Sequence, residues 1–128
     1  MKLLSLDEIL ILHALVLSRY GGSAGVRDIG RLEAVVACQT QVVFGVELYD
    51  SLFDKVAAMV RGLVADHPFV DGNKRTAMLV GLTLVESNGY VFTARKGELE
   101  DFAVSVATDH LDIPAIAEWI ETHSRAAS

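Results

Sequence analysis

The chain has 128 residues, and at roughly 100 to 200 residues per domain we expect one domain that spans residues 1–128. Apolar residues make up 52% of the chain and charged residues 22%, which excludes a disordered or low-complexity polymer. The formal net charge is −6, opposite in sign to a surface that binds a phosphate backbone, so direct nucleic-acid binding is not expected. A single cysteine, with no Cys/His cluster at zinc spacing, indicates a reducing compartment and no structural zinc.

Two long apolar stretches raise the question of a membrane. Ile9–Leu17 and Ala77–Val85 are both shorter than the roughly 20 residues that a spanning helix needs. The first stretch also contains His13 and follows two acidic residues, which is unlike a secretory signal. We therefore expect a cytoplasmic protein that does not enter a membrane.

Apolar residues recur mostly at helical spacing, which predicts an all-α fold of six helices. The first helix starts at a capping box opened by Ser5 and runs to about Arg19. The second helix is capped by Asp28 and continues to about Gln41. Residues 42–50 have no clear period and are expected to form a loop.

The third and fourth helices enclose a short polar loop. The third helix ends near Asp66, because Pro68 disfavours the α conformation of the residue before it. The fourth helix runs from about Asn73 to the Asn-Gly pair at 88–89, and its middle, Met78–Val85, is apolar on all sides except Gly81 and Thr83. This pattern predicts a central helix surrounded by the others. The loop at residues 67–72 leads directly into it.

The last third of the chain is also mainly helical. Residues 90–93, Tyr-Val-Phe-Thr, predict at most one short β segment. A fifth helix is expected from Gly97 to about Thr108, and a sixth from an Asp112 cap. The polar residues 124–128 are expected to form a frayed tail. The predicted fold is a compact six-helix bundle with a central apolar helix.

The segment from His67 to Thr76 is the one place where titratable and turn-forming residues converge. Lys74 and Arg75 lie in the first turn of the fourth helix, where free N–H groups and the helix dipole already favour anions. Cations there are misplaced for stability unless a bound anion compensates. Phosphate is the natural candidate, although the same residues also describe an ordinary helix connection.

The neighbouring residues match the needs of phosphoryl or nucleotidyl transfer. His67 can accept the proton of an attacking hydroxyl, and Asp71 offers the hard oxygen that magnesium prefers. Asn73 can cap the fourth helix or bind phosphate. Gly72 lets the backbone turn tightly and approach a ligand.

Residues 67–77, His-Pro-Phe-Val-Asp-Gly-Asn-Lys-Arg-Thr-Ala, resemble the signature of the Fic/Doc superfamily, HPFx[DE]GN followed by a basic helix start. The AMP-transferring Fic branch usually reads HPFx[DE]GNGRxxR. Here Lys74 replaces the glycine and Met78 replaces the second arginine, and both departures resemble the Doc (death-on-curing) branch. The upstream run Ser18–Gly22, Ser-Arg-Tyr-Gly-Gly, and the chain length are similar to the same branch.

The resemblance implies a small helical bundle that transfers the ATP γ-phosphate to a hydroxyl of a translation factor, elongation factor Tu. ATP is then the phosphate donor and binds together with Mg²⁺, for which Asp71 is the expected ligand. His67, Lys74 and Arg75 are the expected catalytic residues, and the phosphates are expected at Gly72, Asn73, Lys74 and Arg75. Toxins of this branch are inhibited by a co-expressed antitoxin. We expect this antitoxin to have a disordered segment that folds on binding.

Lys74 and Met78 bear on which phosphate is transferred. Lys74 adds a point charge to the anion site and Met78 adds none, so a triphosphate is expected to bind with its γ-phosphate next to His67. Two alternatives stay open, AMP transfer of the Fic type and a catalytically idle helical interaction module. Arg19 and Tyr20 either contact substrate or nucleotide or form a structural salt bridge.

Three further residues have ordinary explanations. Cys38 lies in an apolar run and is expected in the core. His13 interrupts an apolar helix face and is expected to be partly buried and hydrogen-bonded. Trp119 is expected to pack between helices.

Overall fold

The computed structural model describes all 128 residues. The chain forms six α-helices, one 3₁₀ turn and four short strands. In chain order these are α1 (Leu6–Tyr20), α2 (Ile29–Ala37), the 3₁₀ turn (Cys38–Thr40), β1 (Val42–Val43), β2 (Val46–Glu47), α3 (Leu52–Asp66), α4 (Asn73–Ser87), β3 (Tyr90–Phe92), α5 (Lys96–Thr108), α6 (Ile113–Thr122) and β4 (Ser124–Ala126). The predicted all-α class and the number of helices are confirmed.

Side-chain caps fix where four of the helices begin. Ser5 accepts the Glu8 N–H, and the Glu8 carboxylate accepts the Ser5 N–H, which completes the predicted capping box. Asp28, Ser51 and Asp112 each accept the N–H three residues later in the same way. A cap of this kind contributes about 1 kcal/mol, so the local sequence defines where these four helices begin.

The core lies around α3 and α4. Helix α3 packs against α4, α6 and α2, and α4 packs against α1, α3 and α5. Gly81 of α4 faces α3 closely, because a Cβ there would lie 3.3 Å from a methyl carbon of Val60. Twenty-three buried apolar residues form one cluster in this region. The prediction that α4 is a central apolar helix is confirmed.

The prediction of a loop at residues 42–50 is wrong, because β1 and β2 form an antiparallel hairpin there. Val43 faces Val46 across a two-residue turn in which Phe44 and Gly45 both have positive φ, 50° and 79°. Such a turn matches the twist of a hairpin, and it usually carries Asn-Gly or Asp-Gly. Phe-Gly is an uncommon signal, which explains why the sequence pattern did not indicate the hairpin.

The prediction of a frayed tail at 124–128 is also wrong, because residues 124–126 form β4. This strand pairs antiparallel with β3, with Tyr90 opposite Ala126 and Phe92 opposite Ser124. The expectation of at most one short β segment near 90–93 therefore has to be corrected to four short strands in two pairs. A lone strand leaves its backbone groups unpaired, and the chain end supplies the missing partner.

Helix α2 ends earlier than predicted, at Ala37 instead of about Gln41. The next three residues form the 3₁₀ turn, in which the Gln39 side chain is buried. Its amide accepts the Leu4 N–H and donates to the Leu4 carbonyl. This long-range pair of bonds turns the chain out of the helix and fixes the N-terminal segment.

Neither of the two apolar stretches makes a membrane-spanning helix. None of the six helices combines the length and the hydropathy that crossing a lipid bilayer requires.

Candidate active site

The loop between α3 and α4 leaves donors free at the start of α4. His67 follows the last turn of α3 in the left-handed region, with φ 46° and ψ 59°. Gly72, with φ 78°, is the N-cap residue of α4 and has no side chain to bind the first turn. The backbone N–H groups of Asn73, Lys74 and Arg75 make no hydrogen bond within the protein. Free N–H groups at a helix start are suited to an anion, and anion binding there stays a prediction.

The Asn73 side chain holds the loop and does not cap the helix. Its Oδ1 accepts the Phe69 N–H and its Nδ2 donates to the Phe69 carbonyl, both at 3.0 Å. The residue is 8% exposed. Of the two roles considered for Asn73, the cap of α4 is excluded, since Gly72 takes that position. The backbone N–H of Asn73 makes no hydrogen bond and is available for a phosphate.

The His13 side chain of α1 packs against the loop between α3 and α4. Its ring stacks on Phe69, with centroids 3.7 Å apart and planes 6° apart. Its Nε2–H donates to the Asp71 carbonyl at 2.9 Å. The expectation of a buried, hydrogen-bonded His13 is confirmed, but the sequence did not indicate that its partners would be two residues of the motif.

The Asp71 carboxylate is held by two backbone donors. It accepts the Ser23 N–H at 3.1 Å and the Gly72 N–H at 2.8 Å. These two bonds lower the pKa of Asp71 below its ordinary value of 3.8, and the charge of Arg75 acts in the same direction. The carboxylate is thus ionised at neutral pH, and each oxygen keeps a further lone pair.

The Gly-rich connection between α1 and α2 packs against this loop. Val26 forms an isolated antiparallel bridge with Phe69. The Val70 N–H donates to the Gly25 carbonyl at 3.0 Å. The connection therefore acts as a support for the loop, in agreement with the lack of any phosphate-loop pattern in its sequence.

A groove of about 910 Å³ lies beside the loop, between α1, α4 and α5. It contains His67, Asp71 and Gly72, which the sequence singled out. Four cations also line it, and they are Arg19, Lys74, Arg75 and Lys96. Only Lys96 has an acidic partner, Glu100 at 4.0 Å. In a chain of net charge −6, this concentration of unpaired positive charge favours an anionic ligand.

Tyr20 contacts the basic start of α4. The Arg75 guanidinium lies over the Tyr20 ring, 4.3 Å from its centroid, and the Lys96 ammonium is 5.7 Å away. The structure therefore brings Tyr20 to the site through a cation–π contact. Arg19 lines the same groove and makes no salt bridge, so the structural alternative for this residue is excluded.

The rest of the groove is mainly apolar, although Ser18 and Glu100 also line it. Its walls come from α1, α4 and α5 and consist of Leu15, Val16, Met78, Leu79, Leu82, Leu99, Ala103 and Val104. Leu15 and Val104 are 55% and 50% exposed. The groove thus joins a cationic end at the motif to an apolar trough along the bundle.

Sequence reasoning missed two groups of residues at this site. Lys96 lies at the start of α5, where the helix dipole disfavours a cation, as it does for Lys74 in α4. The sequence pattern that singled out Lys74 could therefore also have singled out Lys96. Arg27 and Arg31 bind carbonyl oxygens at the end of α3. Nothing local in the sequence indicates these contacts, because they join residues more than 30 positions apart.

The remaining candidates lie outside the groove. Cys38 was expected in the core and is instead half-buried at its edge, packed against the core cluster. Burial raises the pKa of its thiol to about 11. Trp119 stacks between Phe102 and His123, which confirms its packing role. No group of three or more His, Cys, Asp or Glu side chains is arranged to hold a metal ion.

Comparison with known proteins gives the family. The family model described as Fic/DOC matches residues 3–85. The chain is 39% identical over 110 residues to Toxin Doc of Mycolicibacterium smegmatis, which covers 84% of this chain and 85% of the relative. It is 34% identical over 120 residues to Protein kinase doc of Escherichia phage P1, which covers 94% of each chain. The match covers most of both relatives, and the chain belongs to the Fic/DOC family.

Proposed function

We propose that this chain is the toxin of a toxin–antitoxin pair and a protein kinase that transfers the ATP γ-phosphate to a hydroxyl of a translation factor. Residues 1–128 act as one domain. The relatives named Toxin Doc and Protein kinase doc support the toxin role and the kinase activity. Elongation factor Tu is the target that the family resemblance implies, and such a target acts in the cytoplasm.

One observation carries the proposal: His67 and an ionised Asp71 line the same groove as an unsatisfied anion site. That anion site consists of the free N–H groups of α4 and the unpaired cations Lys74 and Arg75. Phosphoryl transfer needs little beyond positioning and charge stabilisation of this kind. An idle descendant would have no physical reason to keep cations at the positive end of a helix.

In the mechanism that we propose, the target hydroxyl oxygen attacks the γ-phosphorus of ATP while His67 takes the hydroxyl proton. The bond between the γ-phosphorus and the bridging oxygen breaks, and ADP leaves with the electron pair. Lys74, Arg75 and the first-turn N–H groups stabilise the negative charge of the transition state. His67 acts as general base because it lines the groove beside the anion site, and histidine is the side chain that most often takes this role.

The residues present fit a magnesium ion that is shared with the nucleotide. Mg²⁺ usually binds through one or two carboxylates plus substrate phosphates and keeps several waters. Asp71 supplies one exposed, ionised carboxylate, and the lack of a three-residue cluster agrees with such a shared ion. Bound there, Mg²⁺ would neutralise phosphate charge.

Labelled ATP tests which phosphate is transferred. The protein is incubated with the translation factor and with ATP that carries ³²P at either the α- or the γ-position. We expect label in the target only from the γ-position. Label from the α-position alone would overturn the kinase proposal and establish AMP transfer.

Expression tests the alternative of an idle interaction module. We expect growth arrest when the chain is expressed alone, and no arrest with His67→Ala. If neither the wild type nor the variant slows growth and neither labels a target, the idle module is the better description.

We propose further that the apolar trough receives an amphipathic segment of the antitoxin. Leu15 and Val104 expose apolar surface on facing helices, and the cations at the motif end would attract acidic residues of the same segment. A disordered segment that folds on binding suits such a groove.

A matched pair of α1 variants tests this binding site. Leu15→Glu places a charge in the trough, whereas Ile11→Glu changes an equally exposed residue, 59% against 55%, that does not line it. We expect Leu15→Glu to weaken binding of the co-expressed antitoxin at least about tenfold, and Ile11→Glu to have little effect. Equal affinities would place the antitoxin elsewhere.

A further inference from the structure

The end of α3 holds His67 in an unusual backbone conformation. A non-glycine residue with φ 46° and ψ 59° lies in the left-handed region, which L residues adopt infrequently and at a cost in strain. The direction of the His67 side chain depends on this conformation, because φ and ψ orient the Cα–Cβ bond. A group that fixes the backbone here therefore also fixes the direction in which the His67 side chain leaves the chain.

Arg27 supplies that group from the connection before α2. Its Nε–H donates to the His67 carbonyl and its Nη2–H donates to the Asp66 carbonyl, both at 2.7 Å. The backbone N–H of Arg27 also donates to the Pro68 carbonyl at 2.8 Å. One residue thus binds three consecutive carbonyl oxygens and determines the path of the chain on both sides of His67.

The forked guanidinium is suited to this task. The last carbonyls of a helix have no intrahelical donor, and a cation is favourable at the helix C-terminus. Two parallel N–H groups in a rigid plane fix the orientation of the two carbonyls that they bind. Arg31 contributes less, since it reaches only the Asp66 carbonyl, at 3.0 Å, and also pairs with Asp28.

We propose that Arg27 is a positioning residue for His67: it holds the left-handed backbone from which the imidazole enters the groove. This inference rests on the proposed function of His67 as general base. It assigns a role in the reaction to an exposed arginine that lies 40 residues before the motif.

Arg27→Ala and Arg31→Ala form a matched pair for the kinetic test. Both remove an arginine that binds a carbonyl at the end of α3, but only the first frees the His67 carbonyl. We expect Arg27→Ala to lower kcat about ten- to hundredfold with little change in the KM for ATP, and Arg31→Ala to stay within about threefold of wild type. A wild-type kcat in Arg27→Ala would overturn the proposal.

Arg27→Lys separates charge from geometry. Lysine keeps the positive charge and loses the planar fork, so we expect it to resemble Arg27→Ala. A fully active Arg27→Lys variant would assign the effect to charge and refute positioning.

A spectroscopic test does not depend on activity. In ¹H–¹³C spectra of the unliganded protein, we expect the His67 Cα signal, which follows φ and ψ, to shift in Arg27→Ala and to stay close to its wild-type position in Arg31→Ala. An unchanged signal in Arg27→Ala would overturn the inference. If the signal changes while the wild type shows no transferase activity, the proposed function has failed and the conformational role of Arg27 stands.

Discussion

The Arg75 guanidinium lies 4.3 Å from the centroid of the Tyr20 ring, so the last residue of α1 contacts the first turn of α4. Arg75 makes no salt bridge, and Tyr20 is the side chain that fixes its guanidinium. An arginine held by a ring face keeps all its N–H donors free for an anion. We therefore expect the Tyr20 ring to orient the Arg75 guanidinium toward a phosphate ligand without neutralising its charge.

Substitutions at Tyr20 test this arrangement. Tyr20→Phe keeps the ring face, and we expect transferase activity within about twofold of wild type. Tyr20→Leu removes it, and the loss of a cation–π contact of about 0.5–1 kcal/mol should lower kcat/KM for ATP roughly two- to fivefold. Steady-state kinetics of both variants decide the matter, and equal values for Phe and Leu would contradict a role for the ring.

His67→Ala is expected to abolish transfer and to leave the fold intact. His67 is exposed, and such a substitution shifts stability by about 0.5 kcal/mol or less. His110→Ala is the matched control, because His110 is also exposed and has nearly the same φ, 49° against 46°, but lies outside the groove. Melting temperatures and labelled transfer are measured for both. Retained activity in His67→Ala would remove this residue from the mechanism.

Lys74→Ala tests the charge at the anion site. We expect at least about a tenfold loss of transfer, which corresponds to about 1.4 kcal/mol of transition-state stabilisation. Lys2→Ala, a lysine outside the groove, should leave the rate unchanged. A Lys74→Ala variant with the wild-type rate would show that the free N–H groups of α4 suffice.

The helices and the motif were predictable because their signals are local. The Ser5 and Asp28 caps and the misplaced cation Lys74 can each be recognised within a few residues of sequence. The partners of the loop could not be predicted in this way. Arg27 and His13 reach the motif from 40 and 58 positions away, and only the packing of α1 and α2 on the loop brings them there. The β4 strand was missed for the same reason, since its partner β3 is distant in sequence.

Asp71 gives the protein a pH-dependent contribution to stability. Its pKa in the folded state is lowered below 3.8 by the Ser23 and Gly72 N–H groups, so the contribution is present above the ordinary pKa and is lost as the pH falls through the lower, folded value. We expect Asp71→Asn to melt at a lower temperature than wild type at neutral pH. The difference should narrow below about pH 4. Thermal melts from neutral to acidic pH measure it, and a constant difference would contradict the two hydrogen bonds.

Two adjacent glycines allow a test of how closely the α1–α2 connection approaches Asp71. A Cβ on Gly22 would lie 2.7 Å from the Asp71 Oδ2, whereas a Cβ on Gly21 would meet no atom within 4 Å. Both residues have positive φ, 120° and 79°, so alanine is strained at either position. Only Gly22→Ala also displaces the carboxylate.

We therefore expect both glycine variants to lose stability, and only Gly22→Ala to lose transfer beyond that, by at least about tenfold at a fixed Mg²⁺ concentration. A displaced carboxylate binds the ion more weakly, so raising the Mg²⁺ concentration should restore part of the rate in Gly22→Ala and should have no such effect in Gly21→Ala. Magnesium titrations of the transfer rate, run well below both melting temperatures, give the answer. Identical titration curves for the two variants would mean that Asp71 does not act through the metal.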